Sequence, residues 1–192
     1  MPNHSKIHPE TTGPDDADLT TATFAVRTLI TIAERRQGID AARCRLALLH
    51  METATLLHRS LRRALVRHKL SDLQFAVLVI LFSTEPEPLS ASVLAEHAAV
   101  SRAAMTDALD KLESLRFANR SRDDSDRRVT YVRITPAGQE AVDRAINDYL
   151  RAAEEAVGEL RPAAQPVLLA AYLELLRTLA RGDEPAPDAC VP

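Results

Sequence analysis

Residues 101–138 carry the pattern that decides the fold: SRAAMTDALDKLESLRFANRSRDDSDRRVTYVRITPAG. Ser101 is a favourable N-cap residue, and the segment after it has the apolar spacing of an amphipathic helix. The apolar period then changes from about 3.6 residues to about 2, which predicts short strands over 117–122 and 129–134. Thr135-Pro136 predicts the start of another helix, because proline is favoured at the first helical position. The segment therefore predicts a helix, a β-hairpin and a second helix.

Helical patterns surround this segment on both sides, with start signals at Asp40, at Ser90 and in the capping box that begins at Ser71. The predicted helices are 19–36, 40–69, 71–82, 90–97, 101–115, 136–160 and 164–180. The polar and proline-rich ends, residues 1–17 and 182–192, are expected to be disordered tails. The fold class is therefore mainly α with one small β-hairpin, an α+β chain.

Composition agrees with packed helices and excludes several classes of protein. Apolar residues make up 46% of the 192 residues, aromatic residues only 4%, and there is no tryptophan. The five glycines form no phosphate-binding loop, and the two cysteines lie too far apart in the chain to suggest a disulfide framework. No nucleophile–base set or metal-spaced cluster stands out, so we expect no enzyme, no metal site and no cofactor. No run approaches the roughly 18 apolar residues of a membrane span, so we expect a cytoplasmic protein.

The order of a short helix, a turn, a second helix and a β-hairpin is that of a winged helix-turn-helix, and the sequence resembles the MarR (multiple-antibiotic-resistance regulator) family over about residues 45–180. The resemblance is carried by Leu94–His97, Val100–Arg102, Leu109–Glu113, Arg120, Asp123, Asp126–Arg128, Val132 and Ile134–Gly138. The family usually has glycine at two turns, where this chain has Ala99 and Arg116. The resemblance implies long N-terminal helices over 18–69, a DNA-binding lobe over 70–135 and C-terminal dimerisation helices over 136–181.

A recognition helix over about 102–115 would enter the major groove of double-stranded DNA, and its inward side would carry Met105 and the leucines. The predicted DNA-contacting residues are Ser101, Arg102, Thr106, Arg120, Arg127 and Arg128. Arginines at a wing tip suit the narrow, electronegative minor groove, and Asp124 or Asp126 would orient them through paired hydrogen bonds.

Acidic charge supports an alternative function. The net charge is −3, and Asp107 and Asp110 on the predicted recognition helix would repel phosphates unless they point along the groove or away from it. The alternative to DNA binding is therefore a winged-helix module that binds another protein and not DNA.

The helix over 136–160 carries a heptad-like seam, which could pair with a second chain or pack within one chain. The resemblance implies the first of these, a homodimer, because that family pairs through its N- and C-terminal helices. The predicted interface residues are Val142, Ile146, Tyr149, Leu160 and Leu176. Two recognition helices would then meet a pseudo-palindromic operator. The resemblance further implies a repressor that a small aromatic or lipophilic effector releases from DNA; the sequence assigns no residues to that ligand.

Overall fold

The computed structural model describes Leu19, residues 21–122 and residues 129–182. Its elements in chain order are α1 (Phe24–Arg35), α2 (Ala41–Arg67), α3 (Asp72–Thr84), β1 (Leu89–Ser90), α4 (Ala91–His97), α5 (Arg102–Ser114), β2 (Ala118–Arg122), β3 (Thr130–Ile134), α6 (Pro136–Val157) and α7 (Gln165–Gly182). The chain falls into two compact units that divide inside α2, between Arg59 and Ser60. Each unit is described below by itself.

The first unit is a helical hairpin made of α1 and the first part of α2. Gly38 turns the chain between the two helices with φ +80°, a conformation that glycine adopts without strain. Asp40 caps α2 by accepting the Arg43 N–H at 3.0 Å, as its place in the sequence predicts. Glu52 accepts hydrogen bonds at 3.3 Å from the backbone N–H and the hydroxyl of Thr23, so the helices run antiparallel.

The second unit contains a lobe built around α3. Ser71 and Gln74 form the predicted capping box, in which each side chain accepts the backbone N–H of the other residue, at 3.2 and 3.0 Å. The core is formed by apolar side chains from α3, α4, α5, β3 and α6; its largest fully buried members include Val77, Leu78, Leu94, Met105, Leu109, Leu112, Val132 and Val142. The helix α5, the predicted recognition helix, is therefore fixed to the lobe through one continuous apolar core.

A three-stranded antiparallel sheet in the order β1-β3-β2 lies beside α5. The β2–β3 hairpin pairs Ala118 with Ile134 at one end and Arg122 with Thr130 at the other. The strand β1 is missing from the sequence prediction, because its two residues carry no alternation of their own. It forms because β3 offers a free edge, where Leu89 pairs with Val132.

The Thr135–Gly138 segment joins α5, β2 and α6 at one point. The Thr135 hydroxyl donates to the Arg116 carbonyl at 2.7 Å and accepts the Gly138 N–H at 3.0 Å, while the Thr135 N–H donates to the Phe117 carbonyl at 3.0 Å. A Cβ on Gly138 would lie 2.1 Å from the Phe117 carbonyl oxygen, so only glycine fits there. This joint fixes the start of the wing and the start of α6 together.

The heptad-like seam of α6 packs partly within the chain, and this corrects one predicted dimer contact. Val142 has 0% exposure inside the lobe, so its assignment to a dimer interface is wrong. Ile146 packs against the same core, and the Tyr149 ring lies 4.9 Å from that of Phe75 on α3. Part of the apolar face of α6 therefore packs against α3 of the same chain. A periodic pattern alone does not show whether such a face packs within its own chain or against a second chain.

The last helix, α7, is different, because none of its residues from 165 to 181 is buried in the single chain. Leu176 is 63% exposed and Leu160, before the helix, is half-buried. No helix among the described residues is both long and apolar enough to cross a membrane.

In the described part of the chain, three residues other than glycine adopt left-handed backbone conformations, each just after a helix: Lys69 (φ +58°), Ala99 (φ +51°) and Arg116 (φ +59°). At Ala99, the Ala99 N–H donates to the Glu96 carbonyl and the Val100 N–H to the Ala95 carbonyl, both at 3.0 Å. This is a Schellman C-cap, which usually has glycine at this position. The chain therefore keeps the turns of the family pattern despite Ala99 and Arg116.

We expect Ala99→Gly to raise the free energy of unfolding by about 0.5–1 kcal/mol, because it removes the left-handed strain of alanine and adds only the smaller entropy cost of glycine. Urea denaturation measures the change. Ala98→Gly is the matched control: Ala98 has φ −85° and no strain to relieve, so that variant should be less stable than wild type. A urea midpoint of Ala99→Gly at or below the wild-type midpoint would contradict the claim that Ala99 is strained.

Candidate nucleic-acid interface

The helix α5 has one buried face and one exposed face, as its apolar spacing predicts. Met105, Ala108, Leu109 and Leu112 are buried in the core. The opposite side is exposed to solvent and carries Arg102, Ala103, Thr106, Asp107 and Asp110. These exposed side chains are the ones available to meet a partner such as a DNA groove.

The N-terminal turn of α5 carries three of the predicted contact residues close together. Ser101 caps the helix by accepting the Ala104 N–H at 3.2 Å, and the Thr106 hydroxyl donates to the Arg102 carbonyl at 2.9 Å. The first backbone N–H groups of a helix lack intrahelical partners and favour anions. Ser101, Arg102 and Thr106 thus combine hydroxyl groups, a cation and a helix N-terminus on one exposed turn.

Two open grooves flank this turn and add residues that sequence reasoning missed. One, of about 320 Å³, lies between Arg102 and Thr106 of α5, Ser92 of α4 and Thr130 of β3. The other, of about 430 Å³, shares Thr106 and Thr130 and includes Arg122 at the end of β2. Ser92, Arg122 and Thr130 lie outside any conspicuous motif, so only the packing of α4 and the wing strands against α5 reveals them.

Arg120 on β2 is held against α5. Its Nη1 donates to Glu113 at 3.1 Å and contacts Asp110, and its Nη2 donates to the Thr106 carbonyl at 3.0 Å. Its backbone N–H donates to the second carboxylate oxygen of Glu113 at 3.0 Å. The Arg120 side chain is only 22% exposed. The geometry shows Arg120 bracing the wing strand to the recognition helix, a role that the basic pattern of the sequence did not indicate.

The acidic residues of α5 therefore differ in their surroundings. The Asp110 carboxylate lies on the Arg120 guanidinium, and Glu113 shares the same cation. Asp107 lies on the exposed face, and none of the contacts of Arg120 reaches it. Arg120 therefore offsets part of the negative charge of Asp110 and Glu113, and it makes no such contact with Asp107.

The wing tip falls outside the described residues. Asp124, Asp126, Arg127 and Arg128 all lie in the undescribed segment 123–128. The structure describes the wing up to its last strand pair, Arg122 with Thr130, which lies beside the grooves of α5.

Within residues 21–122 and 129–182, no three histidine, cysteine, aspartate or glutamate side chains come together as a metal site requires.

Comparison with known proteins agrees with this geometry. The model of the MarR family matches residues 70–130, which span α3, β1, α4, α5, β2 and the start of β3. Residues 70–130 form a MarR-family domain. The match ends within the wing and includes the turns at Ala99 and Arg116. No curated protein matches the chain significantly.

Solved structures extend the similarity beyond this MarR-family domain. A MarR family transcriptional regulator from Streptomyces coelicolor, solved in complex with DNA, is 27% identical, with TM-score 0.67 over 79% of this chain and 93% of that one. AbsC, a MarR family transcriptional regulator from the same organism, is 22% identical, with TM-score 0.64 over 77% of this chain and 99% of that one. The domain and its fold together support a transcriptional regulator.

Proposed function

We propose that the chain is a homodimeric transcriptional regulator that binds double-stranded DNA sequence-specifically through α5 and the wing. The observation that carries the proposal is the exposed N-terminal turn of α5, where Ser101 caps the helix, Arg102 borders one groove and Thr106 borders both. Such grooves suit sugar–phosphate backbone, and an outward arginine on the first turn suits a base edge in the major groove. The DNA present in the similar Streptomyces structure supports the same use of this fold.

The distribution of exposed apolar residues supports the dimer. Between residues 70 and 134 the described part of the chain exposes one large apolar side chain, Phe82. The helix α7 alone exposes six, which are Val167, Leu168, Leu169, Leu173, Leu176 and Leu179. The hairpin of the first unit exposes more, including Phe24, Leu46 and Met51. This many exposed apolar side chains on one helix, α7, is typical of a protein–protein interface, and a second copy of the chain would cover them.

The remaining parts of the proposal rest on the MarR resemblance. Repression, relieved when a small aromatic or lipophilic effector binds, is the behaviour that the resemblance implies. A dimer would present its two α5 helices to half-sites about 10 bp apart in a pseudo-palindromic operator.

Arg102→Ala tests the DNA-binding proposal. We expect it to weaken binding to a labelled duplex from the gene's own promoter by about tenfold or more, and binding to random duplex by clearly less, because a base contact is worth about 1–3 kcal/mol. Fluorescence anisotropy measures both affinities. Arg144→Ala, which removes an exposed arginine of α6, is the control and should change neither. Wild-type protein that binds no duplex at low salt would contradict the proposal and favour the protein-binding alternative.

Leu176→Glu tests the dimer. Light scattering of the wild-type protein should give about twice the chain mass of 21.1 kDa, and the variant should shift toward the single chain because it buries a charge in an apolar interface. Thr178→Glu is the control: it lies two residues away, about 200° around the same helix, on the side of Glu174. Wild-type protein found only at the single-chain mass would overturn the dimer, and equal effects of both variants would move the interface off this face.

A further inference from the structure

The exposed side of α5 is unusual for a helix that approaches DNA, because its carboxylates outnumber its cations beyond the first turn. Asp107 and Asp110 are exposed, and Glu113 is partly exposed one turn further along. Unpaired, these carboxylates would face a polyanion that carries one negative charge per about 1.7 Å of duplex. Like charges that face each other across an interface strongly lower the affinity of the two partners.

Arg120 forms ion pairs with two of these three carboxylates, Asp110 and Glu113. One guanidinium nitrogen, Nη1, contacts both Asp110 and Glu113, and the other donates to the carbonyl of Thr106. Because the side chain is 22% exposed while Asp110 is 59% exposed, the cation lies beneath the carboxylate that faces solvent. Hydrogen bonds between charged groups in such a partly buried site are stronger than those at a free surface.

The same contacts also fix the position of β2 relative to α5. Arg120 belongs to β2 and its three side-chain partners belong to α5, so the guanidinium sets the wing strand against the recognition helix. The Thr106 carbonyl that it holds lies one turn from Arg102, whose carbonyl accepts the Thr106 hydroxyl. The contact network thus runs from the wing to the first turn of α5.

Arg120 lines one of the two grooves, but three groups of α5 already occupy its guanidinium. We propose that Arg120 is a positioning residue of the DNA interface: it compensates Asp110 and Glu113 and holds α5 against the wing, and it makes no contact of its own with DNA. This inference rests on the proposed DNA-binding function. It differs from the simpler hypothesis, that Arg120 binds a phosphate, in what the two carboxylates do when the arginine is absent.

A double-mutant cycle separates the two roles. The four proteins are wild type, Arg120→Ala, Asp110→Asn/Glu113→Gln, and the variant that carries all three changes. The probe is the tightest fluorescein-labelled duplex that the wild-type protein selects from a random library, and anisotropy gives each Kd.

We expect Arg120→Ala to weaken binding about tenfold or more, because two uncompensated carboxylates then face the duplex. Neutralising the carboxylates in the wild-type background should change Kd by about threefold at most, since Arg120 already compensates them. Neutralising them in the Arg120→Ala background should strengthen binding by at least about threefold, and the loss that remains measures the missing hold of β2 on α5. A purely structural role would leave the triple variant as weak as Arg120→Ala, or weaker.

Asp107→Asn is the matched control, because Asp107 is an acidic residue on the same exposed face without a contact to Arg120. Its effect should be equal in the wild-type and Arg120→Ala backgrounds, which corrects for the general gain from removing negative charge. Equal effects of the Asp110/Glu113 pair in the two backgrounds, with no restoration of binding, would overturn the inference and favour direct phosphate contact.

Circular dichroism checks that each variant is folded. If Arg120→Ala is unfolded, the cycle is repeated with Arg120→Gln, which keeps the length of the side chain and two amide hydrogens but no charge. Failure of the inference is distinguishable from failure of the proposed function: a wild-type protein that selects no duplex removes both, whereas tight wild-type binding without coupling removes the inference alone.

Discussion

The close approach of α6 to the Phe117 carbonyl is the constraint on which the lobe depends. That carbonyl accepts the Thr135 N–H. Its oxygen occupies the space where a Cβ at position 138 would lie, and Gly138 has no Cβ. The same joint ties the Arg116 turn to the N-cap of α6 through the Thr135 hydroxyl. Because the turn ends α5 and begins the wing, its position determines how the recognition helix, the hairpin and the long helix meet. The Thr-x-x-Gly pattern therefore has a structural role: it joins α5, the wing and α6.

Charge at the interface is local and paired, which reconciles DNA binding with a net charge of −3. The first turn of α5 offers Arg102 and hydroxyl groups, and Arg122 stands at the end of β2 beside the same grooves. Further along α5 the structure places acid against base, with Arg120 between Asp110 and Glu113. Overall charge describes solubility and long-range steering, whereas affinity at a contact surface depends on the charges that lie there.

Much of the lobe was predictable because its signals are local. The capping residues Ser71, Ser101 and Thr135, and the change of apolar period after α5, predict the elements in order. Three features depended on tertiary packing instead. The two-residue strand β1 exists only by pairing with β3, Val142 is covered by the lobe and not by a second chain, and Arg120 meets carboxylates that lie across a turn. Residue type and spacing do not show which neighbour in the folded chain pairs with a strand edge, covers an apolar side chain or binds a cation.

Hydroxyl-radical footprinting of the wild-type protein on its selected duplex tests the central claim, that two copies of α5 read one operator, most directly. The account predicts two protected segments related by a pseudo-twofold axis, with centres about 10 bp apart, because each half-site occupies one turn of B-DNA. A single protected segment, or uniform weak protection along the duplex, would contradict it.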